Sequence, residues 1–169
     1  GTTPGGLLVF EGTVRLAANY PPAPAPQPLS ATGLQPPHIH LPGQLYAHGM
    51  FHGPRLQGCT RVEGYGAEGM VAELVTIPTQ DYFAGSATPR FQFDAALLDA
   101  AGQLAGFWLR ERNPGVPNCF PFRVRSLTLY APPPPAGLRF RCDGAILMRG
   151  ETQLDARWDV TGTDGRLLM

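Results

Sequence analysis

The chain has 169 residues, which is enough for one domain with a substantial core and too few for two of ordinary size. Its 13 basic residues balance its 13 acidic ones, and this zero net charge disfavours a nucleic acid or an anionic membrane as a partner. All the basic residues are arginines, which excludes Schiff-base chemistry by a lysine of this chain.

The cysteines indicate a reducing compartment. There are three of them (Cys59, Cys119 and Cys142), an odd number, and no two have CxxC spacing. No apolar run is long enough to span a bilayer, and no signal segment opens the sequence. We therefore expect reduced core thiols in a cytoplasmic protein.

The N-terminal quarter predicts a strand followed by a linker. Residues 7–16 (LLVFEGTVRL) alternate between apolar and polar side chains, as a half-buried strand does. Residues 19–43 are dense in proline, which lacks an amide donor and fixes φ, so they predict an extended linker lying over a surface. We therefore assign residues 1–42 to the last strand of a preceding domain plus a linker, and residues 43–169 to a second domain. We also expect the chain, which opens on glycine, to be a piece of a larger protein.

The second domain predicts one long helix among several strands. In chain order the predicted elements are a short helix (43–50) closed by Gly53-Pro54, two strands (56–66 and 69–78), a loop (83–90), the long helix (93–112), a bulged strand (119–130) and two more strands (138–143 and 154–160), with a TDG turn into 166–169. The long helix carries apolar residues at i, i+4, i+7 and i+11, namely Leu97, Ala101, Leu104 and Trp108. In the last strand the residues expected to point inward are Leu154, Ala156, Trp158 and Val160.

One helix with many alternating strands favours an α+β fold. We expect the hot-dog arrangement, a curved antiparallel sheet wrapped around one long central helix. Such domains usually act in pairs, because the substrate channel lies between two of them.

Two polar residues one turn apart on the long helix are candidates for chemistry. Asp99 and Gln103 fall on the side opposite the apolar stripe, where a solvent-facing surface would need no function. Small residues surround them, so a substrate or a second domain could approach closely: Ala95, Ala100, Ala101, Gly102, Ala105 and Gly106. A carboxyl group in such an apolar crevice is favoured in its neutral form and could donate a proton to a leaving hydroxyl, with the amide of Gln103 fixing its orientation.

Three segments resemble, in the same order, the motifs of polyketide synthase dehydratase domains. Residues 45–58 (LYAHGMFHGPRLQG) are similar to the family's Y/H-G-P-x-F-Q-G segment, with Leu56 where phenylalanine is usual. Residues 93–108 (FDAALLDAAGQLAGFW) look like its DxxxQ/H helix, and residues 119–137 like its LPF…L.LY.P.P.G stretch. The resemblance runs from Leu45 to the end of the chain, and the FHGP form is more like that of iterative bacterial or polyunsaturated-fatty-acid-type synthases.

The resemblance implies the C-terminal half of a double hot-dog dehydratase. In that family the first half supplies a histidine base in an HxxxGxxxxP motif, and the second half supplies an aspartate that protonates the departing β-hydroxyl of an acyl-carrier-protein thioester. The product is an α,β-unsaturated thioester, and no cofactor is used. By this resemblance Asp99 is the general acid and Gln103 its orienting partner, and four residues line the acyl channel: His52, Gly53, Pro54 and Gln57.

The family's base is absent from this sequence. None of its four histidines is followed by glycine and proline at the HxxxGxxxxP spacing: His38, His40, His48 and His52. We therefore expect the isolated chain to be inactive or very weak, and an N-terminal hot-dog half or a second copy to complete the site.

Three alternatives stay open. His40, His48 or His52 could replace the missing base if an imidazole came close to Asp99 with a substrate carbon between them, although His52 could equally be a ring packed where the family has tyrosine. The HxH and HxxxH spacings could bind zinc, but glycines weaken the second pair's helix and no carboxylate lies beside it. The domain could also be a degenerate, non-catalytic scaffold that shapes an intermediate, against which the retention of Asp99 and Gln103 argues.

Overall fold

The computed structural model describes residues 11–48, 50–80, 82–85, 89–115 and 118–169. In these ranges the chain forms a 3₁₀ turn (Pro54–Leu56), strands β1 (Cys59–Gly66) and β2 (Gly69–Val75), helix α1 (Ala95–Arg112), and strands β3 (Arg139–Met148) and β4 (Leu154–Gly162). The strands make one antiparallel sheet in the order β1-β2-β3-β4. The predicted α+β class is therefore confirmed, and the arrangement is compatible with the hot-dog fold.

Helix α1 follows the predicted periodicity closely. Asp94 caps its first turn, because its carboxylate accepts a hydrogen bond of 2.9 Å from the backbone N–H of Leu97. The helix contacts all four strands, and every residue of the predicted apolar stripe is buried. At its far end the indole of Trp108 donates a 2.8 Å hydrogen bond to the carbonyl of Gly66, which ties the helix to the end of β1.

The two strand pairs also form where the sequence predicts them. Gly69, after the turn between β1 and β2, has φ of +150° and lies so close to the Gly144 carbonyl that no side chain would fit. In β4, Val160 is buried and Leu154 and Trp158 are half-buried, whereas Ala156, which pairs with buried Ile146, is exposed and so is not part of the core. The TDG turn forms, with Gly165 at φ +78° and the N–H of Gly162 bonded to the Arg166 carbonyl.

In the described residues of two predicted strands and one predicted short helix, those elements do not form. Residues 118–128, covering most of the predicted strand 119–130, are exposed or half-exposed and lie in no strand; residues 11–16 are likewise exposed and unpaired, whereas residues 7–10 lie outside the described part of the chain. A strand needs a neighbour to supply its hydrogen bonds, and no described strand edge pairs with either segment. Residues 41–48 make consecutive turns instead of a helix, in keeping with the glycines that punctuate this stretch.

The proline-rich segment lies over the surface formed by the sheet and helix. The backbone N–H groups of Gln27 and Leu29 donate to the carboxylates of Asp159 and Asp143, at 3.1 and 3.0 Å. Gln35 then forms a two-hydrogen-bond bridge with Tyr65 of β1. Within the described ranges, no helix combines the length and apolar character that crossing a bilayer requires.

Candidate active site

Asp99 and Gln103 face each other across one turn of α1. The amide Nε2 of Gln103 donates a 2.8 Å hydrogen bond to Oδ2 of Asp99. Gln103 is buried, with 4% of its surface exposed, whereas the Asp99 side chain is 40% exposed. The predicted pair is therefore in contact, with the amide inside and the carboxylate at an opening.

The buried amide is held by two further groups from the segment before β1. Gln103 Nε2 also donates to the backbone carbonyl of Leu56 at 2.7 Å, and its Oε1 accepts from the hydroxyl of Tyr46 at 2.7 Å. The Tyr46 oxygen in turn accepts from the backbone N–H of Cys59 at 2.9 Å. Burial raises the pKa of the Tyr46 hydroxyl far above its ordinary value, so this group stays protonated and remains a donor.

The loop before the 3₁₀ turn brings a histidine to the same carboxylate. His52 Nε2 lies 3.5 Å from Asp99 Oδ2, and its ring stacks on Phe51 with centroids 4.4 Å apart. The side chain of Gln57 donates to the His52 carbonyl at 2.9 Å and closes the loop on itself. His52 Nδ1 is buried and has no hydrogen-bond partner among the described residues.

The residues named from the sequence thus separate into two groups. Asp99 contacts both Gln103 and His52, and Gln57 is hydrogen-bonded to the loop that carries His52. Gly53 and Pro54 are exposed, beside an open groove lined by Pro54, Arg55, Ile77, Pro78 and Gln80. Gly53 and Pro54 lie at the edge of this groove and make no described hydrogen bond to Asp99 or Gln103.

Among the described residues, Asp99 lies at an opening and not in a closed, dry crevice. With 40% of its side chain exposed, Asp99 opens to solvent, and a Cβ placed on nearby Gly102 would meet nothing within 4 Å. Of the six small residues expected to leave the helix approachable, Ala95 and Gly102 are exposed, Gly106 is half-buried beside Met50, and Ala100, Ala101 and Ala105 are buried in the core. The Asp99 carboxylate of the single chain is thus partly open to solvent, and a dry crevice around it stays a prediction for a site completed by a second half.

Sequence reasoning missed Tyr46 and the Leu56 carbonyl. Both act on Gln103 from positions about fifty residues away, and a backbone carbonyl has no signature in a sequence. Tyr82 was missed as well: its hydroxyl donates to the Arg55 carbonyl at 2.7 Å, and burial, reinforced by Asp94 and Asp99, raises its pKa. The one available signal was the position of Tyr46 inside the segment 45–58.

Two of the other histidines, His38 and His40, lie at the opposite end of α1, whereas His48 is exposed. His38 and His40 contact Glu111, which is 12 positions after Asp99 and so roughly 18 Å away along the helix axis. No three histidine, cysteine or acidic side chains come together as a metal site anywhere in the ranges that the structure describes. All three cysteines are free, two of them buried, as expected of reduced core thiols.

Comparison with known proteins gives one match. A family model described as the polyketide synthase dehydratase N-terminal domain matches residues 21–169. No curated protein and no solved structure matches the chain. The match spans the linker, the sheet, the helix and every residue of the site.

Proposed function

This chain belongs to the polyketide synthase dehydratase N-terminal domain family, and we propose that it supplies the acid half of a dehydratase active site. The reaction removes water from a β-hydroxyacyl thioester on an acyl carrier protein. A base takes the α-proton, the C–O bond breaks as the C=C bond forms, and the departing hydroxyl takes a proton from Asp99 and leaves as water. The product is an α,β-unsaturated thioester.

The observation that carries this proposal is that the Asp99 carboxylate is hydrogen-bonded to a buried amide on one side and exposed to solvent on the other. Gln103 is buried and bonded on both sides of its amide, so it fixes one oxygen of Asp99. The rest of the Asp99 side chain faces an opening that a substrate can enter. A general acid needs both features, because it must be oriented and must reach the leaving group within hydrogen-bonding distance.

We further propose that the chain is the C-terminal hot-dog half, although the matching description names an N-terminal domain. The DxxxQ helix belongs to the second half of the family's double hot-dog, and the HxxxGxxxxP base of the first half is missing here. His52 does not replace that base. Its imidazole contacts Asp99 at 3.5 Å, which leaves no room for a substrate carbon between acid and base. His52 instead lines the channel with Gly53, Pro54 and Gln57.

The missing half is also the partner that the open surface requires. Phe120, Phe122 and Val124 are 64%, 80% and 72% exposed, in a segment whose alternation is that of a strand. Contiguous exposed apolar side chains of this kind mark an interaction surface. We propose that an N-terminal hot-dog half covers them and turns the opening at Asp99 into a dry channel, with residues 1–42 as the connection between the halves. The assembly would belong to a cytoplasmic multienzyme of polyketide biosynthesis, in keeping with its free thiols.

The test compares the chain alone with the completed protein, that is, this chain together with the N-terminal hot-dog half that carries the histidine base. Each is given a 3-hydroxybutyryl pantetheine thioester, and the enoyl thioester is followed by mass spectrometry and ultraviolet absorbance. We expect dehydration by the completed protein and none above background by the chain alone, because acid and base lie on different halves. Full activity of the chain alone would overturn the split site, and an inactive completed protein would favour a scaffold.

A further inference from the structure

We propose that Tyr46 is a positioning residue, which orients the Gln103 amide so that its nitrogen faces Asp99. The hydrogen-bond network around Tyr46 carries this proposal. The consequence for turnover rests on the proposed function, but the effect on Gln103 does not. Tyr46 touches neither Asp99 nor the opening through a described hydrogen bond, and so it would act only through the amide.

The direction of each hydrogen bond follows from the chemistry of its ends. The carbonyl of Leu56 can only accept, so the amide atom 2.7 Å from it must be the nitrogen of Gln103. The amide oxygen then points the other way and needs a donor. The backbone N–H of Cys59 can only donate, and it donates to the Tyr46 hydroxyl oxygen, so the hydroxyl's own proton is free for Gln103 Oε1. Only one arrangement satisfies all these groups.

The position of Tyr46 makes this arrangement rigid. Its ring meets Phe107 of α1 edge-on, with centroids 5.8 Å apart, and its hydroxyl is tied to the first residue of β1. Burial raises the pKa of the hydroxyl and keeps its proton in place over the ordinary pH range. The tyrosine therefore links the sheet to the helix at the level of the acid and leaves Gln103 one orientation.

Removing the hydroxyl should release the amide. In Tyr46→Phe the buried Oε1 of Gln103 has no described donor left, so the amide gains by rotating or by recruiting water. Either change weakens the bond from Nε2 to Asp99. Groups that orient a reacting residue in this way typically contribute about 10- to 100-fold to activity.

The first experiment uses the chain alone and needs no catalysis. Side-chain amide signals of Gln103 are recorded by ¹H–¹⁵N NMR in the wild type, in Tyr46→Phe and in Tyr65→Phe. Tyr65 is the control, because its hydroxyl also makes a hydrogen-bond contact, 3.1 Å from His38 Nδ1, but at the far end of the helix; its side chain is buried, whereas that of Tyr46 is half-buried. We expect the Gln103 signals, and their response to titration of Asp99, to change in Tyr46→Phe alone. Unchanged signals would overturn the proposal.

The wild type gives a second readout that does not depend on any variant folding. The side-chain amide protons of Gln103 should exchange with solvent at least tenfold more slowly than those of exposed Gln80, because both Nε2 protons are bonded inside the protein. Equal exchange rates would overturn the proposal.

A third experiment measures turnover of the completed protein. Tyr46→Phe should lower kcat about 10- to 100-fold with KM little changed, because Tyr46 does not touch substrate. In a Gln103→Leu background, Tyr46→Phe should cost little more, since the amide through which it acts is gone. Additive losses would contradict the proposed pathway. If the wild-type completed protein dehydrates nothing, the proposed function fails. The NMR experiment still decides whether Tyr46 orients Gln103, because it does not depend on turnover.

Discussion

The amide of Gln103 is the most constrained polar side chain in the site, because three different groups bond to it while it is almost wholly buried. Among the described residues, the Leu56 carbonyl has no other hydrogen-bond donor, and the proton of the Tyr46 hydroxyl has no acceptor besides Gln103. A buried polar group that loses its partner carries its full desolvation penalty. The residue that orients the acid therefore also stabilises the join between helix and loop.

Replacing Gln103 by leucine should destabilise the fold measurably. Leucine has a similar volume but offers neither a donor to Leu56 nor an acceptor to Tyr46, and we expect a loss of roughly 2 kcal/mol in the free energy of unfolding. Urea denaturation followed by circular dichroism measures it. Gln80→Leu, at an exposed position, is the control and should change stability by no more than about 0.5 kcal/mol.

Two glycines make a sharper contrast. A Cβ on Gly144 would lie 2.2 Å from a ring carbon of Trp158, its cross-strand neighbour, so Gly144→Ala should destabilise the domain by about 2 kcal/mol or more. Gly102, inside α1, has open space at that position, and Gly102→Ala should stabilise the helix by about 0.5–1 kcal/mol. Thermal denaturation of the two variants measures both signs. A stable Gly144→Ala variant would contradict the close packing of Trp158 on the sheet.

At the scale of elements, the C-terminal end of α1 is hydrogen-bonded to the proline-rich segment. The carboxylate of Glu111, fully buried, accepts hydrogen bonds from the backbone N–H groups of three consecutive residues, His38, Ile39 and His40. It also lies 3.0 Å from Nδ1 of His40, a ring that is itself fully buried. Glu111 thus adds to the contacts with Asp143, Asp159 and Tyr65 that hold the proline-rich segment against the domain.

This contact should make stability fall in acid. Burial acts to raise the pKa of Glu111, but the backbone bonds outweigh it and lower that pKa below its ordinary 4.5, so the contribution is complete above that value and lost below it. Burial lowers the pKa of His40 below 6.5 more than Glu111 raises it, with Arg110 and His48 acting in the same sense as burial. Protonation of the unfolded chain therefore begins to cost stability below about pH 6.5, and Glu111 adds to the loss below about pH 4.5.

Unfolding free energies measured between pH 2 and pH 8 test this expectation. Glu111→Gln should cost roughly 3 kcal/mol at pH 7, because it replaces a charge-assisted acceptor of several hydrogen bonds, and should flatten the acid limb of the profile. Asp164→Asn, an exposed carboxylate in the last turn, is the control and should leave the profile unchanged. A Glu111→Gln variant with the wild-type slope would contradict a role for this carboxylate.

The elements that the sequence predicts correctly are those whose signal is local. Helix α1 follows from its apolar stripe, and the four strands follow from alternation and turns inside one hairpin or strand. The segments 11–16 and 119–130 show the same alternation, but pairing depends on a neighbour that alternation does not reveal. The contact of Asp99 with Gln103 was predictable from i, i+4 spacing, whereas that of Tyr46 with Gln103 was not.

At the scale of the whole molecule, the domain exposes two aromatic side chains beside the opening at Asp99. The rings of Phe51 and Phe120 stack 5.6 Å apart, and Phe51 also stacks on His52, which contacts Asp99. In a monomer such apolar exposure is a liability, and in a paired domain it is the contact face. The same partner would thus bury the aromatic residues and exclude water from the acid.

Phe122→Asp should separate folding from pairing. Phe122 is 80% exposed, so the unfolding free energy of the chain should change by no more than about 0.5 kcal/mol. Binding to the N-terminal half, measured by sedimentation, should weaken at least tenfold, because a charge would enter an apolar contact. Glu151→Gln, at another exposed position, should leave binding unchanged. If Phe122→Asp instead dissolves a dimer of this chain, a second copy is the partner, and unimpaired binding would remove this face from the interface.

The central claim, that Asp99 delivers the proton to the departing hydroxyl, is tested most directly by the single-turnover rate of dehydration in the completed protein. We compare Asp99→Asn with Asp94→Asn, a matched change on the same helix in which asparagine can still cap the first turn. The account predicts that Asp99→Asn lowers the rate by about 10²- to 10⁴-fold while Asp94→Asn leaves it near that of the wild type. An undiminished rate in Asp99→Asn would contradict it.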